Sequence, residues 1–587
     1  MPLKGLSDEQ LDAVKYEGNL LLTACPGAGK TKTLVSKIAY QLNHEDCIGK
    51  KERLIAITYT NVAAVTILER LDIYGIDSKN LWVGTIHSFC LEWIIKPYVG
   101  YSSRISRGFR IIDEYEQRKL IDIVKAKYNI GFFDDLPIKL NDKFEICATR
   151  NTALYNAANE YHRILYDNQW IDFDLILTIS LSLLNENIEI GRRLASLFFS
   201  ILVDEFQDTN QEQYDVLASI LSHKKTVATF IGDVDQAIYT GLGAVVKNRE
   251  QIERELGLSV VAEKSLSGCY RSTQLIINFY SLFQDNDIEI KSLCPLPIEK
   301  SDVFFESNVH RDNLGEYVGG IIEQKLIEGV KPSEIVVIAP QWTDVIRLGG
   351  LLKQAYPHLE FNAPGISPIP KSQDNPWIHL VRLYFIPISA RSYSKRRRIA
   401  SLLIEELESM QFSFNSVNNP IKLTLTKINQ LSPNSSSTVE VFLESLITEF
   451  VRYIDLGSEI NSLLNDAKIS LIESSTLRIK QFKLLNDAST LSAYFRESNG
   501  VNVTSCHSTK GEEYDVVIAT GLLKGKLPHW NDIIDRSQKY ENYMARRLLY
   551  VISSRARKYL YLVSERGHTT RAGNALVTTP QLTSVLD

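Results

Sequence analysis

The stretch Leu20–Leu42, LLLTACPGAGKTKTLVSKIAYQL, constrains the fold more than any other part of the chain. A short apolar run passes through a tight turn containing Gly27 and Gly29 into a helical pattern opened by Lys30 and Thr31. Strand, glycine turn and helix N-terminus together collect backbone N–H groups around an anion and add the positive end of the helix. Lys30 can then reach the β- and γ-phosphates of a nucleotide, and the Thr31 hydroxyl can ligate Mg²⁺. The spacing predicts a phosphate-binding loop built from Ala24, Cys25, Pro26, Gly27, Ala28, Gly29, Lys30 and Thr31. Ala24 stands where the usual G-x-x-x-x-G-K-[ST] pattern opens with glycine.

Further apolar, β-branched runs recur at 53–58, 81–86, 198–205 and 226–233, and a second set at 334–340, 501–508, 514–521 and 559–563. Continuous hydrophobic strands separated by helical patterns indicate parallel sheets covered on both faces. The expectation is an α/β protein with two such cores, of which only the first carries a phosphate loop. Two polar, helix-patterned stretches, near 90–165 and 376–489, interrupt them and read as insertions. At 587 residues the chain exceeds one hydrophobic core, in keeping with several domains.

Composition narrows the class. With 44% hydrophobic and 23% charged residues and no long uncharged apolar run, a membrane-spanning protein is not expected, and the opening MPLKGLSDEQ has no signal-peptide core, so a cytoplasmic location is expected. The seven cysteines are scattered without a C-x-x-C pair and read as reduced thiols. A net charge of −5 argues that any polyanion is held in a local groove rather than by bulk attraction. The basic run RSYSKRRR, Arg391–Arg398, is a solvated helix face or flexible segment, or else a phosphate contact.

The run FFSILVDEFQD ends in Asp204 and Glu205. Adjacent acids at the end of an apolar strand need a cation or a catalytic task. With a phosphate loop in the same sheet, Asp204 is expected to hold Mg²⁺ and Glu205 to orient or deprotonate the attacking water. Loop and acids together imply nucleoside triphosphate hydrolysis.

DEFQD (204–208), IGDVDQAIY (231–239), YRSTQ (270–274), HSTKGEEYDVV (507–517) and RRLLYVISSRARK (546–558) resemble, in order, the motif series of superfamily 1 DNA helicases of the UvrD/Rep/PcrA group. LSDEQLDAV (6–14), ITYTNVAA (57–64), GTIHSFC (84–90) and DFDLIL (172–177) fit the same series. The resemblance implies two RecA-like domains, 1–89 with 166–262 and 263–375 with 490–587, carrying helical insertions at 90–165 and, reduced, at 376–489. It implies ATP and Mg²⁺ as cofactors, with Arg271 and Arg555 of the second domain sensing the γ-phosphate and Gln236 coupling it to domain closure. By the same resemblance Gln10 reads adenine, Tyr270 stacks on the base, Glu513 meets the ribose, and Lys32 is a further nucleotide contact. Tyr59, Thr60, Asn61, His87, Ser88, Phe89, His507 and Ser508 are implied to line a groove for single-stranded DNA, with translocation 3′ to 5′. No residue distinguishes DNA from RNA; the resemblance alone implies DNA.

The sequence departs from the family in one informative place. After GDVDQAIY the family continues with an aromatic, an arginine, glycine and alanine, whereas this chain has Gly241, Leu242, Gly243 and Ala244. A lost base–aromatic stack costs about 1–3 kcal/mol, so strand grip is expected to be weakened. Val62 likewise stands where the family often has a basic residue. Such departures suit a motor working beside a partner. Compact members of the group occur in two-component bacterial antiphage systems of the Gabija type, whose companion is an OLD-family nuclease. The reading is therefore an ATP-dependent translocase or helicase on single-stranded or tailed duplex DNA, with a DNA-sensing ATPase that gates a nuclease as its alternative.

Overall fold

The computed structural model describes residues 3–43, 52–112, 114–131, 134–150, 152–296, 301–362, 368–370, 375–389, 392–412, 414, 419–433, 437–454, 461–482, 484–495, 500–534, 537–570 and 572–586. The chain divides into two compact units, the first formed by 1–98, 179–365 and 499–587, the second by 99–178 and 366–498.

The first unit contains two six-stranded sheets in which every pairing is parallel. One is made of β1 (Asn19–Ala24), β2 (Arg53–Thr58), β3 (Leu81–Thr85), β4 (Phe198–Asp204), β5 (Val227–Gly232) and β6 (Val261–Leu266), in the order β3-β2-β4-β5-β1-β6. The other is made of β7 (Asp302–Glu306), β8 (Ile335–Ala339), β9 (Phe361–Asn362), β10 (Val501–Ser505), β11 (Tyr514–Ala519) and β12 (Ala556–Val563), in the order β7-β12-β11-β8-β10-β9. Two such sheets with flanking helices are the expected pair of RecA-like cores. Interior strands are buried along nearly their whole length, as Leu20, Leu22, Ile55, Ile201, Leu202, Phe230 and Ile231 illustrate. That burial explains their unbroken apolar sequences. Because the strands are parallel, the turns after β1, β4 and β5 open on one sheet edge, where α/β proteins bind ligands.

Helix α1 (Asp8–Lys15) is nucleated by a capping box: Ser7 Oγ accepts from Gln10 N–H, and Gln10 Oε1 accepts from Ser7 N–H at 3.0 Å. Helix α2 (Lys30–Leu42) packs Leu34, Val35, Ile38 and Ala39, one helical face, into the core. Lys37 on α2 is buried and donates to the Ala13 and Tyr16 carbonyls at 3.1 and 2.6 Å, closing the C-terminal end of α1. The phosphate-loop helix thus carries α1, and with it Gln10, on its back.

The second unit is mainly helical around its own core, which includes Trp377, Leu380, Leu403, Leu443, Leu446 and Leu471. Its only strands among the described residues are the short parallel pair Arg110–Ile111 and Trp170–Ile171. It takes in most of both stretches read as insertions. Within the basic run, Arg391 lies outside the described residues. Lys395 and Arg397 are exposed, as a solvated helix face requires, but Arg396 departs from that reading: it is 4% exposed and donates to the Leu383 and Ile386 carbonyls at 2.7 and 2.6 Å and to Asn429 Oδ1. It caps the helix Pro376–Phe385 rather than facing solvent or phosphate. Among the described residues no helix is long and apolar enough to cross a membrane.

Candidate active site

The loop after β1 has the backbone its glycines allow. Gly27 and Gly29 lie at φ +74° and +79°, in the left-handed region, and both positions are crowded. A methyl group at Gly27 would stand 2.5 Å from Arg271 Cβ, and one at Gly29 would stand 2.8 Å from Gln10 Nε2. Cys25 N–H donates to the Leu266 carbonyl of β6 and Ala28 N–H to the Cys25 carbonyl, at 3.1 and 3.2 Å. These bonds pin the loop to the sheet. The first-turn N–H groups of α2 have no intrahelical acceptor, which leaves an anion site at its start. Ala24, Cys25, Pro26 and Ala28 are buried as the wall of that hollow, and Thr31 is partly buried.

Gln10 is 1% exposed and joined to the loop, its Nε2 donating to the Ala28 carbonyl at 2.8 Å. Tyr270 N–H donates to the Gly27 carbonyl at 2.9 Å and leaves its ring largely exposed beside the loop. Lys32 is turned to the Gly5 carbonyl.

Asp204 ends β4, and Glu205 follows it at φ +53°, an unfavourable conformation for a residue with a Cβ. Gln207 holds it there. Fully buried, Gln207 donates to Glu205 Oε2 at 2.6 Å and accepts from Asp233 N–H at 3.1 Å. Gly232 is required for this contact, since a methyl group there would lie 2.1 Å from Gln207 Oε1. Lys30 Nζ lies 3.5 Å from Glu205 Oε2, so loop and acids form one site. Burial, and then the neighbouring Glu205 charge, push Asp204 up to about 7. Burial opposes ionisation of Glu205 as well, but Lys30 and Lys510 outweigh it and hold Glu205 down at about 2. A buried carboxylate short of positive charge, with Lys30 of the loop among the charges acting on it, has the chemistry to ligate Mg²⁺, whose remaining positions other oxygens would fill.

The second core reaches into this site through three cations. Arg555 is fully buried after the helix Gln538–Ser553 and donates to Gln236 Oε1 at 2.9 Å and to the Val551 carbonyl at 2.9 Å. Gln236 in turn donates to Asp233 Oδ2 at 2.7 Å. Burial, with repulsion from Arg271, brings Arg555 down to about 9. Arg271 donates to Glu513 Oε2 at 2.7 Å and to the Ser554 carbonyl at 2.9 Å, so the implied γ-phosphate and ribose contacts are joined to each other here. The third cation, Lys510, is one that the sequence analysis did not single out. It pairs with the buried Asp208, donates to the Gln236 carbonyl at 2.9 Å and lies 5.2 Å above the Tyr239 ring. Its position in HSTKGEEYD, between His507 and Glu513, was the available signal.

The residues implied to meet a strand fall into two groups. Tyr59 is 44% exposed and stacks on Tyr239 with centroids 5.1 Å apart, and Tyr239 lies 5.8 Å from His507. Thr60 caps the helix that Asn61 begins. Ser508 is exposed, its Oγ 3.1 Å from Ser505 Oγ. Ser88 Oγ is engaged by Thr85 at 3.0 Å, and burial lowers His87 to about 4, keeping it neutral. Phe89 is a correction. It is 0% exposed and packed against Trp82 and Phe198 at 5.7 and 5.9 Å, because the apolar face of its turn closes the core below β3. Its ring is not presented to a base. Gly241 and Gly243 lie in and just after a single 3-10 turn, Thr240–Leu242; the Leu242 side chain lies outside the described residues.

Comparison with known proteins agrees with this geometry. Residues 6–257 match the UvrD/REP helicase N-terminal domain and residues 184–567 the UvrD-like helicase C-terminal domain. The ATP-dependent DNA helicase PcrA of Bacillus subtilis is 24% identical over 97% of this chain and 84% of its own length. The protein of that name from Staphylococcus epidermidis is 25% identical over 96% of this chain and 83% of its own. Matched through both cores by these two domains, the chain belongs to the UvrD-like helicase family.

Proposed function

We propose that this protein is an ATP-dependent DNA helicase that moves 3′ to 5′ on single-stranded or tailed duplex DNA. The observation that carries the reading is the division of one phosphate site between two cores. Lys30 and Glu205 come from the first, Arg555 and Lys510 from the second, and the second set is joined to the first core at Gln236. Charge arriving between them draws the cores together, and its loss lets them part.

In the proposed reaction the loop N–H groups and Lys30 hold the β- and γ-phosphates, and Arg271 and Arg555 present guanidinium forks to the charge that spreads over the transferred group. Thr31 and Asp204 would hold Mg²⁺, which would neutralise phosphate charge. Glu205, ionised at neutral pH, orients the attacking water and accepts its proton. Gln10 and Tyr270, bonded to the loop at Ala28 and Gly27, and Glu513, joined to it through Arg271, would meet base and ribose. The turn bearing Gln236 runs directly into Tyr239, and Lys510 touches both, so a change at the γ-phosphate is passed to the aromatic surface that would grip the strand.

Strand separation on 3′-tailed and 5′-tailed duplexes tests the proposal. Unwinding that needs ATP and a 3′ tail supports it, and equal or absent unwinding on both contradicts it. Gly241, which offers no side chain to a base, favours a second reading: a DNA-sensing ATPase that gates an OLD-family-type nuclease in a Gabija-type complex, without unwinding. Hydrolysis stimulated by DNA, no strand separation, and cleavage only when a nuclease partner is added would select it.

A further inference from the structure

A methyl group built on Gly241 would come within 3.4 Å of the Tyr540 hydroxyl and 3.2 Å of Asp532 Oδ1. Thus the space that a side chain at 241 would enter is lined by the second core. Tyr540 and Tyr543 lie one turn apart on the helix Gln538–Ser553, their rings 6.5 Å apart and inclined by 27°. Both are partly buried, and Thr240 Oγ1 contacts Met544 Sδ of the same helix at 3.1 Å. Beneath Tyr543, at 3.9 Å from its centroid, lies the guanidinium of Arg547. Arg547 is 5% exposed, and its Nε and Nη1 have no hydrogen-bond partner among the described residues. Its Nη2 approaches Asp285 only to 3.9 Å. A buried cation with two unbonded nitrogens is costly to keep, and the Tyr543 ring above it, with the Asp285 and Asp235 carboxylates, offsets part of that cost.

We propose that Tyr540 and Tyr543, braced by Arg547, form a base-stacking site of the second core that takes the place of the aromatic–arginine pair absent at 241 and 242. The occupant is an unpaired nucleobase of a single strand. Continuity supports this: Gly241 is two residues beyond Tyr239, whose ring already joins Tyr59 and His507 into an aromatic surface. Charge points the same way. The Asp532 carboxylate beside Gly241 disfavours a phosphate near the two rings, whereas the uncharged face of a base on their outer side meets no such repulsion. Gly241 is then a fitted position: an added Cβ would already press on Asp532 Oδ1 at 3.2 Å and touch the Tyr540 hydroxyl, so a bulkier side chain there would crowd the pair.

The inference rests on the DNA-binding reading above, and the test separates the two. Binding of a labelled oligothymidylate and of an abasic strand of equal length is measured by fluorescence anisotropy for the wild type, Tyr540→Ala/Tyr543→Ala and Tyr540→Phe/Tyr543→Phe. The alanine variant is expected to bind oligothymidylate more weakly by about 5- to 150-fold per lost stack. The phenylalanine variant keeps wild-type affinity, and all three proteins bind the abasic strand alike. Wild-type affinity of the alanine variant for oligothymidylate, or an equal loss on the abasic strand, overturns the site and leaves the helicase reading standing. Failure of the wild type to bind either strand overturns that reading and this inference with it.

Discussion

Replacing Lys510 by methionine removes the cation but keeps most of the side chain's volume. Its partner Asp208 has no exposed side-chain surface and sits at about 6 already, because burial outweighs the attraction of Lys510. Without Lys510, the Asp208 carboxylate is left, among the described residues, with the long 3.4 Å donation from Gln207 and the more distant charge of Lys30. Losing one member of a buried pair costs about 3–5 kcal/mol, but proton uptake sets a ceiling. From an ordinary aspartate value near 3.9, protonation costs about 4 kcal/mol at pH 7 and about 1.5 kcal/mol at pH 5. A carboxyl raised above its unfolded value contributes stability below that value and loses it as pH rises through the folded one. The methionine variant is therefore weakest at neutral pH and approaches the wild type as pH falls toward 5. Denaturant midpoints at pH 7 and pH 5 for Lys510→Met, and for Lys510→Met with Asp208→Asn, measure this. The double variant, which buries no charge, should recover most of the loss at pH 7. A deficit equal at both pH values, or a double variant as weak as the single one, would refute the reasoning.

Arg555→Lys replaces a fork bonded to Gln236 and Val551 with a single point charge, and turnover of saturating ATP is expected to fall by about 10³-fold or more while the fold persists. Phe89→Ala is expected to cost about 3–5 kcal/mol of stability in thermal or denaturant unfolding, as for any buried ring, without a selective loss of DNA affinity. Gly27→Ala places a Cβ 2.5 Å from Arg271 Cβ in a left-handed conformation, and nucleotide titration should show binding weakened by at least tenfold.

The interior strands were legible because burial on both faces demands unbroken apolar runs: 53–58 and 226–233 in the sequence became β2 and β5 almost residue for residue. β6 and β7, VAEKSL and DVFFE, were not read as strands. Both lie at sheet edges, where one side meets solvent and polar residues interrupt the run, so the signal that finds a central strand is absent. At the candidate site, local chemistry announced Lys30, Asp204 and Glu205. Gln207, Lys37 and Lys510 act through partners 26, 24 and 302 residues away, a separation that no local pattern encodes. Phe89 was misjudged for the converse reason. A motif position does not say which way a ring points, and here the hydrophobic core claims it.

The most direct test of the whole account is steady-state ATP hydrolysis by the purified chain with and without single-stranded DNA, with Glu205→Gln as the blank. A shared site split between two cores, wired through Gln236 and Lys510 to Tyr239, predicts strong stimulation by DNA. The blank should fall by about 10²- to 10⁴-fold while still binding ATP. Hydrolysis indifferent to DNA would contradict the coupling, and a blank that turns over normally would contradict the site.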